Sequence, residues 1–595
     1  MSHNEVESAG RTRTVLTTDG LELVVEERGD PSGPTVVAVH GYPDDRHVWD
    51  RVAADLAADH HVVTYDVRGH GGSAAPGSPA GYDLELLAAD LRSVCDAVSP
   101  GAPVHLLAHD WGAIQTWHAV TGEDGLPSAM DGRVASFTSV SGPCLDHVAL
   151  FLRRRRPRDL RPVLAQALHS WYTLAFRLPV LPELLIRSGL LGGVVARTER
   201  IPRPAVRDAV NGLELYRRNL PRRLGRPRPR RTDVPVQVLA PRADAYVTPA
   251  LATSAAEFAP DLRVRYLPGG HWVVRHRAGV LARCVREFVA ERTGSDPAPA
   301  LARARSRGAA LVRSGGRPDT ATRWEGSLSV VTGAGSGIGR EVARRVADLG
   351  GRVVVADVSE DGAAQTVDLV TRRHGPGRAF PAVLDVADEA AVAALAERVA
   401  AEHGVPDLVV NNAGIAVAGS FADTSAEEWR RIVDVNLWGV VHGCRHFGAL
   451  LAGHGEGGTI VNTASAAAYL PSRSLPAYAT TKAAVLMLSQ CLRAELGRAG
   501  VGVTALCPGF VDTPITGATR FAGTDDTTQD ARRRAAAAAY TRRGYTPQRV
   551  AARLVRAVER DLPIAPVTAE AHVGLLASRL SPALVRAPAR VDGTR

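Results

Sequence analysis

Residues 328–339 have the sequence LSVVTGAGSGIG, an apolar run followed by a glycine-rich turn and the start of a helix. Apolar β-branched residues favour a buried strand, and glycines let a backbone turn approach a bound group closely. The amides of such a turn, at the N-terminus of a helix, are suited to phosphate groups. The stretch therefore predicts an α/β domain with a parallel sheet and a dinucleotide site at Gly333, Ser336, Gly337, Ile338 and Gly339.

The end of the next predicted strand indicates which dinucleotide is preferred. Asp357 lies 18 residues after Gly339. A carboxylate at this point accepts hydrogen bonds from the ribose hydroxyls and repels a 2′-phosphate. Ser336 adds no positive charge, and Arg340 is expected to face away from the site. We therefore expect NAD(H) to be favoured over NADP(H).

A second group of residues predicts acid–base chemistry in the same domain. Tyr478 and Lys482 are four residues apart on a predicted helix, which places them on one face. Ser465 follows a predicted strand and precedes Tyr478 by 13 residues. A nearby ammonium lowers the pKa of a phenol. Lys482 is the one lysine among 71 basic residues, which favours a role that arginine cannot fill.

These motifs give residues 324–570 a resemblance to the short-chain dehydrogenases/reductases. The resemblance implies that Tyr478 exchanges the proton, that Ser465 holds the carbonyl or hydroxyl group, and that Lys482 binds the ribose. Asn436 would anchor a water relay. The family is expected to form homo-oligomers through this domain. Further cofactor contacts are implied for Asp385, Val386, Asn412, Ala413, Gly414, Pro508, Gly509 and Thr513.

The first half of the chain also predicts a parallel α/β fold, with an aspartate in a sharp turn. The segment AHDWG (108–112) follows an apolar strand and precedes a helix, with Asp110 between small residues. This is the spacing of a nucleophile elbow, which usually holds serine. Asp244 and His271 follow later predicted strands, in the order nucleophile, acid, histidine. The amides of Tyr42 and Trp111 are the predicted oxyanion donors.

Residues 14–293 resemble the epoxide hydrolase branch of the α/β-hydrolases. The matching motifs are HGYPDDRHVW, DVRGHGGS, HDWGA and GGHW. The resemblance implies that Asp110 forms an alkyl-enzyme ester and that His271 activates the water that hydrolyses it. It also implies that Tyr172 and Tyr216, in a helical cap at 145–231, protonate the epoxide oxygen.

Other interpretations of the first half stay open. Haloalkane dehalogenases share the aspartate and Trp111, but they need a second halide-binding residue, for which Trp49 is an unconvincing candidate. Fluoroacetate dehalogenases carry arginine where this chain has Trp111, and esterases need serine. A catalytically silent lipid-binding module that delivers substrate to the second half is a further alternative.

Composition separates the two domains and limits the partners. Residues 294–323 are rich in Pro, Ala, Gly, Ser and Arg and predict a linker with at most a short helix, and residues 571–595 predict a C-terminal tail. The whole arrangement resembles actinobacterial and mycobacterial fusions of an epoxide hydrolase-like domain with a short-chain dehydrogenase. A lipid substrate is expected, because the predicted cap is apolar and rimmed by arginine.

The 595 residues carry a net charge of +9, and arginine clusters at 153–156 and 217–231. A solvated face or a rim that contacts anionic membrane lipids explains such clusters, and no recognition motif indicates nucleic acid. The apolar and basic tail also allows membrane contact. The six cysteines lack metal-ligand spacing, so no metal is expected. The polar start and the lack of a long apolar run predict a cytoplasmic protein.

Overall fold

The computed structural model describes residues 10–123, 126–316, 323–581, 583 and 585. The chain divides into two compact units, residues 1–319 and 320–595. Each unit is an α/β structure built on its own sheet, so the predicted fold class is confirmed.

The first unit contains one eight-stranded sheet in the order β1-β2-β4-β3-β5-β6-β7-β8. β1 and β2 form an antiparallel hairpin at one edge, and the other six strands, β3 to β8, are parallel to one another. The parallel strands are those predicted from apolar runs, whereas the hairpin is additional. The strands are β1 Arg11–Leu16, β2 Glu22–Arg28, β3 Thr35–Val39, β4 His61–Tyr65, β5 Val104–His109, β6 Val134–Val140, β7 Val236–Pro241 and β8 Leu262–Leu267.

Helices cover both faces of this sheet, and seven of them, α4 to α10, lie between β6 and β7 in the chain. This is the part of the sequence in which a helical cap was predicted. The helices are α1 Asp50–Leu56, α2 Leu84–Val98, α3 Trp111–Val120, α4 Leu145–Leu152, α5 Pro157–His169, α6 Tyr172–Ala175, α7 Leu181–Arg187, α8 Leu190–Glu199, α9 Val206–Asn211, α10 Leu213–Gly225, α11 Pro249–Ala252, α12 Val273–His276, α13 Ala278–Arg292 and α14 Pro299–Arg313.

Residues 294–323 were predicted to form a linker with at most a short helix, but α14 occupies 15 of them, Pro299–Arg313. Leu301 and Leu311 are fully buried, so the helix belongs to the core of the first unit. At Gly308 the helix lies so close to β8 that an added Cβ would be 1.9 Å from a backbone oxygen of that strand. The apolar face of α14 is made mostly of alanine and glycine, which composition alone does not distinguish from a linker.

The second unit contains a seven-stranded parallel sheet in the order β11-β10-β9-β12-β14-β15-β17, which has the predicted strands at its centre. Two short strands, β13 and β16, pair separately. The strands are β9 Leu328–Thr332, β10 Arg352–Asp357, β11 Ala379–Val383, β12 Leu408–Asn411, β13 Val417–Ala418, β14 Gly458–Thr463, β15 Val501–Cys507, β16 Arg520–Phe521 and β17 Ile564–Pro566.

The helices of the second unit pack on both faces of that sheet. They span Gly337–Asp348, Glu360–His374, Glu389–His403, Ala426–Val433, Gly439–His454, Pro476–Leu496, Ile515–Ala518, Asp526–Arg543, Pro547–Glu559 and Ala569–Leu580. The last helix crosses the predicted boundary between domain and tail, because Ala571 is buried and its carbonyl accepts a hydrogen bond from the Tyr469 hydroxyl. Residues 582, 584 and 586–595 of the predicted tail lie outside the described residues. Within the described ranges, every helix is too short or too polar to cross a bilayer.

Candidate active sites

Asp110 occupies a sharp turn between β5 and α3. Its backbone has φ +48° and ψ −122°, a conformation that is uncommon for a residue with a side chain and is often found at functional sites. At Gly112 an added Cβ would lie 2.3 Å from the carbonyl oxygen of Val39, so the turn tolerates only glycine there. The predicted nucleophile elbow is therefore present in three dimensions.

His271 lies between two carboxylates. Its Nε2 atom is 3.4 Å from Oδ2 of Asp110, and its Nδ1 atom is 3.1 Å from Oδ1 of Asp244. Asp244 is itself oriented by the amides of Tyr246 and Val247, at 2.8 and 3.0 Å. The three residues predicted to cooperate are thus brought together at the carboxyl ends of their strands.

The charges of this group are strongly coupled. Burial alone would lower the pKa of His271, but the charge of Asp244 and the hydrogen bond to Asp110 outweigh it and raise the pKa to about 10. Burial alone would raise the pKa of Asp244, but the charge of His271 outweighs it and the pKa is lowered. At neutral pH the histidine is therefore an imidazolium paired with its neighbours.

The Tyr42 amide, one of the two predicted oxyanion donors, donates to Oδ1 of Asp110 at 2.9 Å. Trp111, whose amide was the second predicted donor, begins α3. The Trp111 indole also hydrogen-bonds the hydroxyl of Tyr216, and the two rings meet edge to face at 4.8 Å. The sequence analysis did not predict this hydrogen bond between the Trp111 indole and Tyr216.

The two cap tyrosines face Asp110. The hydroxyls of Tyr172 and Tyr216 share a hydrogen bond. Burial, with a further contribution from the charge of Asp110, raises the pKa of both phenols well above 10. Both side chains therefore stay protonated near neutral pH.

Tyr246 is an addition to the site that the sequence analysis missed. Its ring centroid lies 4.7 Å from that of His271 and 5.3 Å from that of Tyr172. A third tyrosine thus closes the space between the histidine and the cap. Its position two residues after Asp244 is the signal that could have indicated it.

The glycine-rich turn of the second unit packs against the chain after β12. An added Cβ at Gly333 would lie 2.8 Å from Cα of Ala413, and one at Gly339 would lie 2.1 Å from the carbonyl oxygen of Gly333. Thr332, which the sequence analysis did not single out, accepts hydrogen bonds from the amides of Asn412 and Ala413 at 3.0 and 3.1 Å. These contacts fix the position of the glycine turn relative to the chain after β12.

Asp357 lies at the end of β10 beside this turn. Its Oδ2 atom accepts the amide of Gly335 at 2.8 Å and its Oδ1 atom accepts that of Ser359 at 2.9 Å. The Arg340 guanidinium donates to the carbonyl of Gly335 and to Oγ1 of Thr366, the latter at 3.0 Å. Arg340 is thus anchored to neighbouring polar groups.

Ser465, Tyr478 and Lys482 meet at the carboxyl end of β14. Lys482 donates to the carbonyl of Thr463 at 2.8 Å, and its Nζ atom lies 5.7 Å from the centre of the Tyr478 ring. Ser465 hydrogen-bonds the phenol of Tyr478. Asn436 is fully buried in a π-helical turn, Asp434–Trp438, a distortion frequent at functional sites.

The pKa of Tyr478 differs from the sequence-based expectation. Burial raises it to about 12, and the hydrogen bond from Ser465 opposes this only in part. Burial also lowers the pKa of Lys482 to about 8. Because the ammonium is itself destabilised by burial and is engaged by Thr463, it does not bring the phenol below its ordinary pKa in this state.

One cavity of about 1590 Å³ joins the glycine turn to Ser465, Tyr478 and Lys482. It holds most of the predicted cofactor-binding residues, whereas Gly339 and Asn436 support its wall from behind. Apolar side chains that the sequence analysis missed form another part of the wall: Leu470, Leu475, Phe510, Phe521 and Tyr540. The predicted residues that line it are Gly333, Ser336, Gly337, Ile338, Asp357, Asp385, Val386, Asn412, Ala413, Gly414, Pro508, Gly509 and Thr513.

Comparison with known proteins supports this two-part description. Residues 34–274 match the family model for the alpha/beta hydrolase fold, and residues 328–522 match that for short chain dehydrogenase. The chain is 42% identical over 600 residues to the "Probable oxidoreductase EphD" of Mycobacterium tuberculosis, with 98% of each chain covered. The chain belongs to this family of α/β-hydrolase and short-chain dehydrogenase fusions.

Two further similar proteins are named as dehydrogenases, and each covers less than half of this chain. The 1-deoxy-11-beta-hydroxypentalenate dehydrogenase of Streptomyces avermitilis is 39% identical over 32% of this chain and 70% of its own. A short chain dehydrogenase/reductase from Burkholderia phymatum, solved in complex with NAD, is 33% identical over 44% of this chain and 96% of its own, with a TM-score of 0.40.

We expect the Asp110→Asn variant to show a weaker dependence of stability on pH. The folded-state pKa of His271, about 10, lies above its ordinary value of 6.5. The stabilisation is therefore complete below about pH 6.5 and is lost as the pH rises through about 10. Without the Asp110 charge the folded-state pKa falls, so less stabilisation is lost over this range. Thermal unfolding midpoints of both proteins at about pH 6.5 and about pH 9.5 test this.

The matched control is Asp50→Asn, because Asp50 pairs with His47 at 3.1 Å and with Arg28 at 3.0 Å but is itself solvent-exposed, so that solvent screens these pairs. This variant should keep the wild-type pH dependence. If Asp110→Asn also kept it, Asp244 alone would account for the charge on His271.

We expect Lys482→Arg to lower dehydrogenase turnover by roughly 100-fold or more, the scale of losing a positioned acid–base group. Lys482 is 3% exposed, and a planar guanidinium cannot replace its compact ammonium there without displacing Tyr478 or Thr463. The assay uses a secondary alcohol that the wild type oxidises. Arg493→Lys, on the same helix but in an exposed ion pair with Asp561, should leave turnover unchanged. Near-normal turnover of Lys482→Arg would contradict the argument from the single lysine.

Proposed function

We propose that the protein is a bifunctional enzyme. The first unit would hydrolyse an epoxide to a vicinal diol through an aspartyl ester, and the second would interconvert an alcohol and a ketone with NAD(H). The observation that carries the hydrolase proposal is the convergence of Asp110, His271 and Asp244 under two protonated tyrosines.

The first step follows from the two oxygens of Asp110. Oδ1 is held by the Tyr42 amide at 2.9 Å, whereas Oδ2 faces Nε2 of His271 at the longer distance of 3.4 Å, so Oδ2 is the oxygen that would attack an epoxide carbon. As the carbon–oxygen bond of the ring breaks, the ring oxygen takes a proton from Tyr172 or Tyr216. The products of this step are an alkyl ester of Asp110 and a hydroxyl group.

Ester formation also changes the state of His271. The Asp110 charge contributes to the raised pKa of the imidazolium, and an ester carries no charge. The pKa of His271 therefore falls when the ester forms, its proton passes to the phenolate that the first step left on Tyr172 or Tyr216, and the neutral imidazole can then take a proton from water. The hydroxide adds to the ester carbon, and the negative charge develops on the oxygen that faces the Tyr42 amide. Collapse releases the diol and regenerates the carboxylate.

A dehalogenase function is less well supported. A halide site needs two free donors, whereas the Trp111 indole is engaged with Tyr216. Trp49, the proposed second donor, is fully buried and packs with Val36 and Leu281 in a core cluster that does not contain Trp111.

The residues of the second unit fit a nicotinamide dinucleotide. Gly333 packs so closely on Ala413 that the turn has no room for a side chain, and the cavity runs from Asp357 to Tyr478. No ion pair among the described residues occupies the Asp357 carboxylate. When bound, the cofactor accepts or supplies a hydride. Tyr478 would move the proton at the substrate oxygen, Ser465 would hold that oxygen, and Lys482 would bind the ribose. The apolar wall at Phe510 and Phe521 supports a lipid-like substrate.

The hydrolase proposal is tested with styrene oxide and long-chain epoxides. Wild type should turn over at least one of them, and Asp110→Ala should lose turnover by roughly 1000-fold or more, since the nucleophile is absent. Arg51→Ala, an exposed change away from the site, is the control. If wild type turned over none of them but bound them, the first unit would be a binding module.

NAD(H) should bind more tightly than NADP(H) by on the order of 10-fold or more, the scale of one unfavourable charge contact. The reason is the Asp357 carboxylate beside the glycine turn. Fluorescence titration of both reduced cofactors measures the ratio of their dissociation constants, and Asp357→Asn should bring this ratio closer to one. A preference of the wild type for NADP(H) would show that an arginine is recruited to the 2′-phosphate.

A further inference from the structure

The cap exposes an unusual amount of apolar surface. Among the described residues, 24 large hydrophobic side chains are exposed, and twelve of these lie within residues 160–206. We call the exposed side chains of residues 155–206 the cap outer face. Soluble proteins rarely expose apolar side chains in such density unless the surface contacts something. The twelve are Leu160, Leu164, Leu168, Trp171, Leu174, Leu178, Val180, Leu181, Leu184, Leu190, Val194 and Val206.

Helix α5 shows that this exposure is built into the fold. Leu160, Leu164 and Leu168 recur every four residues and therefore share one face of the helix, which points outward. The opposite face buries Asp159 and Gln166. A helix at the surface of a soluble protein has the reverse arrangement, with its leucines inward.

The inward polar residues of α5 are engaged, so the helix cannot simply rotate to bury its leucines. Gln166 donates to the carbonyl of Tyr246 at 2.8 Å and accepts from the amide and hydroxyl of Thr248, each at 2.8 Å. These contacts attach α5 to the loop that carries Asp244. The outward direction of the leucines is thus tied to the geometry of the hydrolase site.

The same surface is positively charged. Residues 155–206 contain nine arginines and three acidic residues, a net charge of +6. Of the acidic residues, Asp159 is buried and Glu183 pairs with Arg217 outside the segment. Within the described residues, no ion pair engages the exposed side chains of Arg155, Arg156, Arg158, Arg161, Arg177, Arg187, Arg197, Arg200 and Arg203.

The second arginine cluster, 217–231, behaves differently. Its arginines pair with carboxylates of the first unit: Arg217 with Glu183, Arg218 with Asp83, Arg223 with Glu85, and Arg228 and Arg230 with Glu123. Most of this cluster's arginines therefore serve internal contacts, whereas among the described residues no ion pair engages Arg226 or Arg231.

We propose that the cap outer face docks on an anionic lipid bilayer. Apolar side chains flanked by unpaired arginines match an interface in which the leucines enter the acyl region and the arginines meet negative headgroups. A second copy of the chain is a poorer occupant, because two surfaces of charge +6 repel each other.

Docking would place the bilayer next to the hydrolase site. In α6, Tyr172 faces Asp110, whereas its neighbours Trp171 and Leu174 are 68% and 66% exposed. A lipid epoxide could then pass from the bilayer to Asp110 along the cap. This use of the docking surface rests on the proposed hydrolase function, but the docking itself does not.

The experiment measures binding of the full chain to vesicles of phosphatidylcholine and phosphatidylglycerol in a 3:1 ratio, by flotation. Wild type should bind these vesicles at least about 10-fold more strongly than vesicles of phosphatidylcholine alone, and high salt should weaken binding. Leu168→Glu should reduce binding by about 10-fold, because a charge replaces an inserted side chain. Leu16→Glu is the matched control, since both leucines are 65% exposed, and it should bind as wild type does.

The charges are tested in the same assay. Arg158→Glu should weaken binding to anionic vesicles by about 5-fold or more, because it reverses one charge next to the headgroups. Arg51→Glu, an exposed arginine outside the cap, should bind as wild type does.

Three results would overturn the proposal: no binding by the wild type, equal binding by Leu168→Glu, or equal binding to neutral vesicles. A self-association that Leu168→Glu abolishes, without vesicle binding, would assign the face to a second copy instead. The thermal unfolding midpoint of Leu168→Glu, compared with that of the wild type, reports whether the variant is folded and does not depend on hydrolase activity. Absence of styrene oxide turnover by the wild type would bear on the hydrolase function and not on docking.

Discussion

The position of His271 between two carboxylates is the interaction on which the first site depends. Asp244 is fixed by backbone amides of its own loop, Asp110 is fixed by the Tyr42 amide, and the imidazolium satisfies the oxygens that remain. Buried charges are tolerated only when they are paired in this way. In the proposed hydrolase reaction this pairing corresponds to a resting state with a protonated histidine, and conversion of Asp110 to a neutral ester would free His271 to act as a base.

The parallel strands could be predicted because each is a run rich in β-branched residues, and helices bury both faces of the sheet that these strands form. The hairpin β1–β2 could not, because Arg11–Leu16 is a strand of six residues that is mostly exposed and buries only Val15. Helix α14 was hidden for a different reason. Its buried contacts are made by alanine, glycine and two leucines, and the closeness of Gly308 to β8 is a property of the packed structure that composition does not record.

Site residues were predictable where a strand end or a helix spacing fixes them. Asp110, Asp244 and His271 follow strands, and Tyr478 and Lys482 share a helical face. The sequence analysis did not identify Tyr246 or the Trp111 indole, because their contacts depend on where the cap lies over the sheet. Charge pairing was the property least predictable from sequence: the arginines of 217–231 look like a basic surface, yet most of them pair with carboxylates, several of which are distant in the chain.

The single lysine shows how burial separates two side chains that composition treats as equal. In this chain 70 of 71 basic residues are arginine, and they serve exposed faces, ion pairs and buried networks such as Arg68 with Asp19 and Asp90. An arginine stays charged in all these settings, so each buried one needs carboxylate partners. Lys482 is buried with a carbonyl as its hydrogen-bond acceptor, and burial lowers its pKa to about 8. Only a side chain whose charge can be given up near neutral pH is stable there without a carboxylate, and this is the property that arginine lacks.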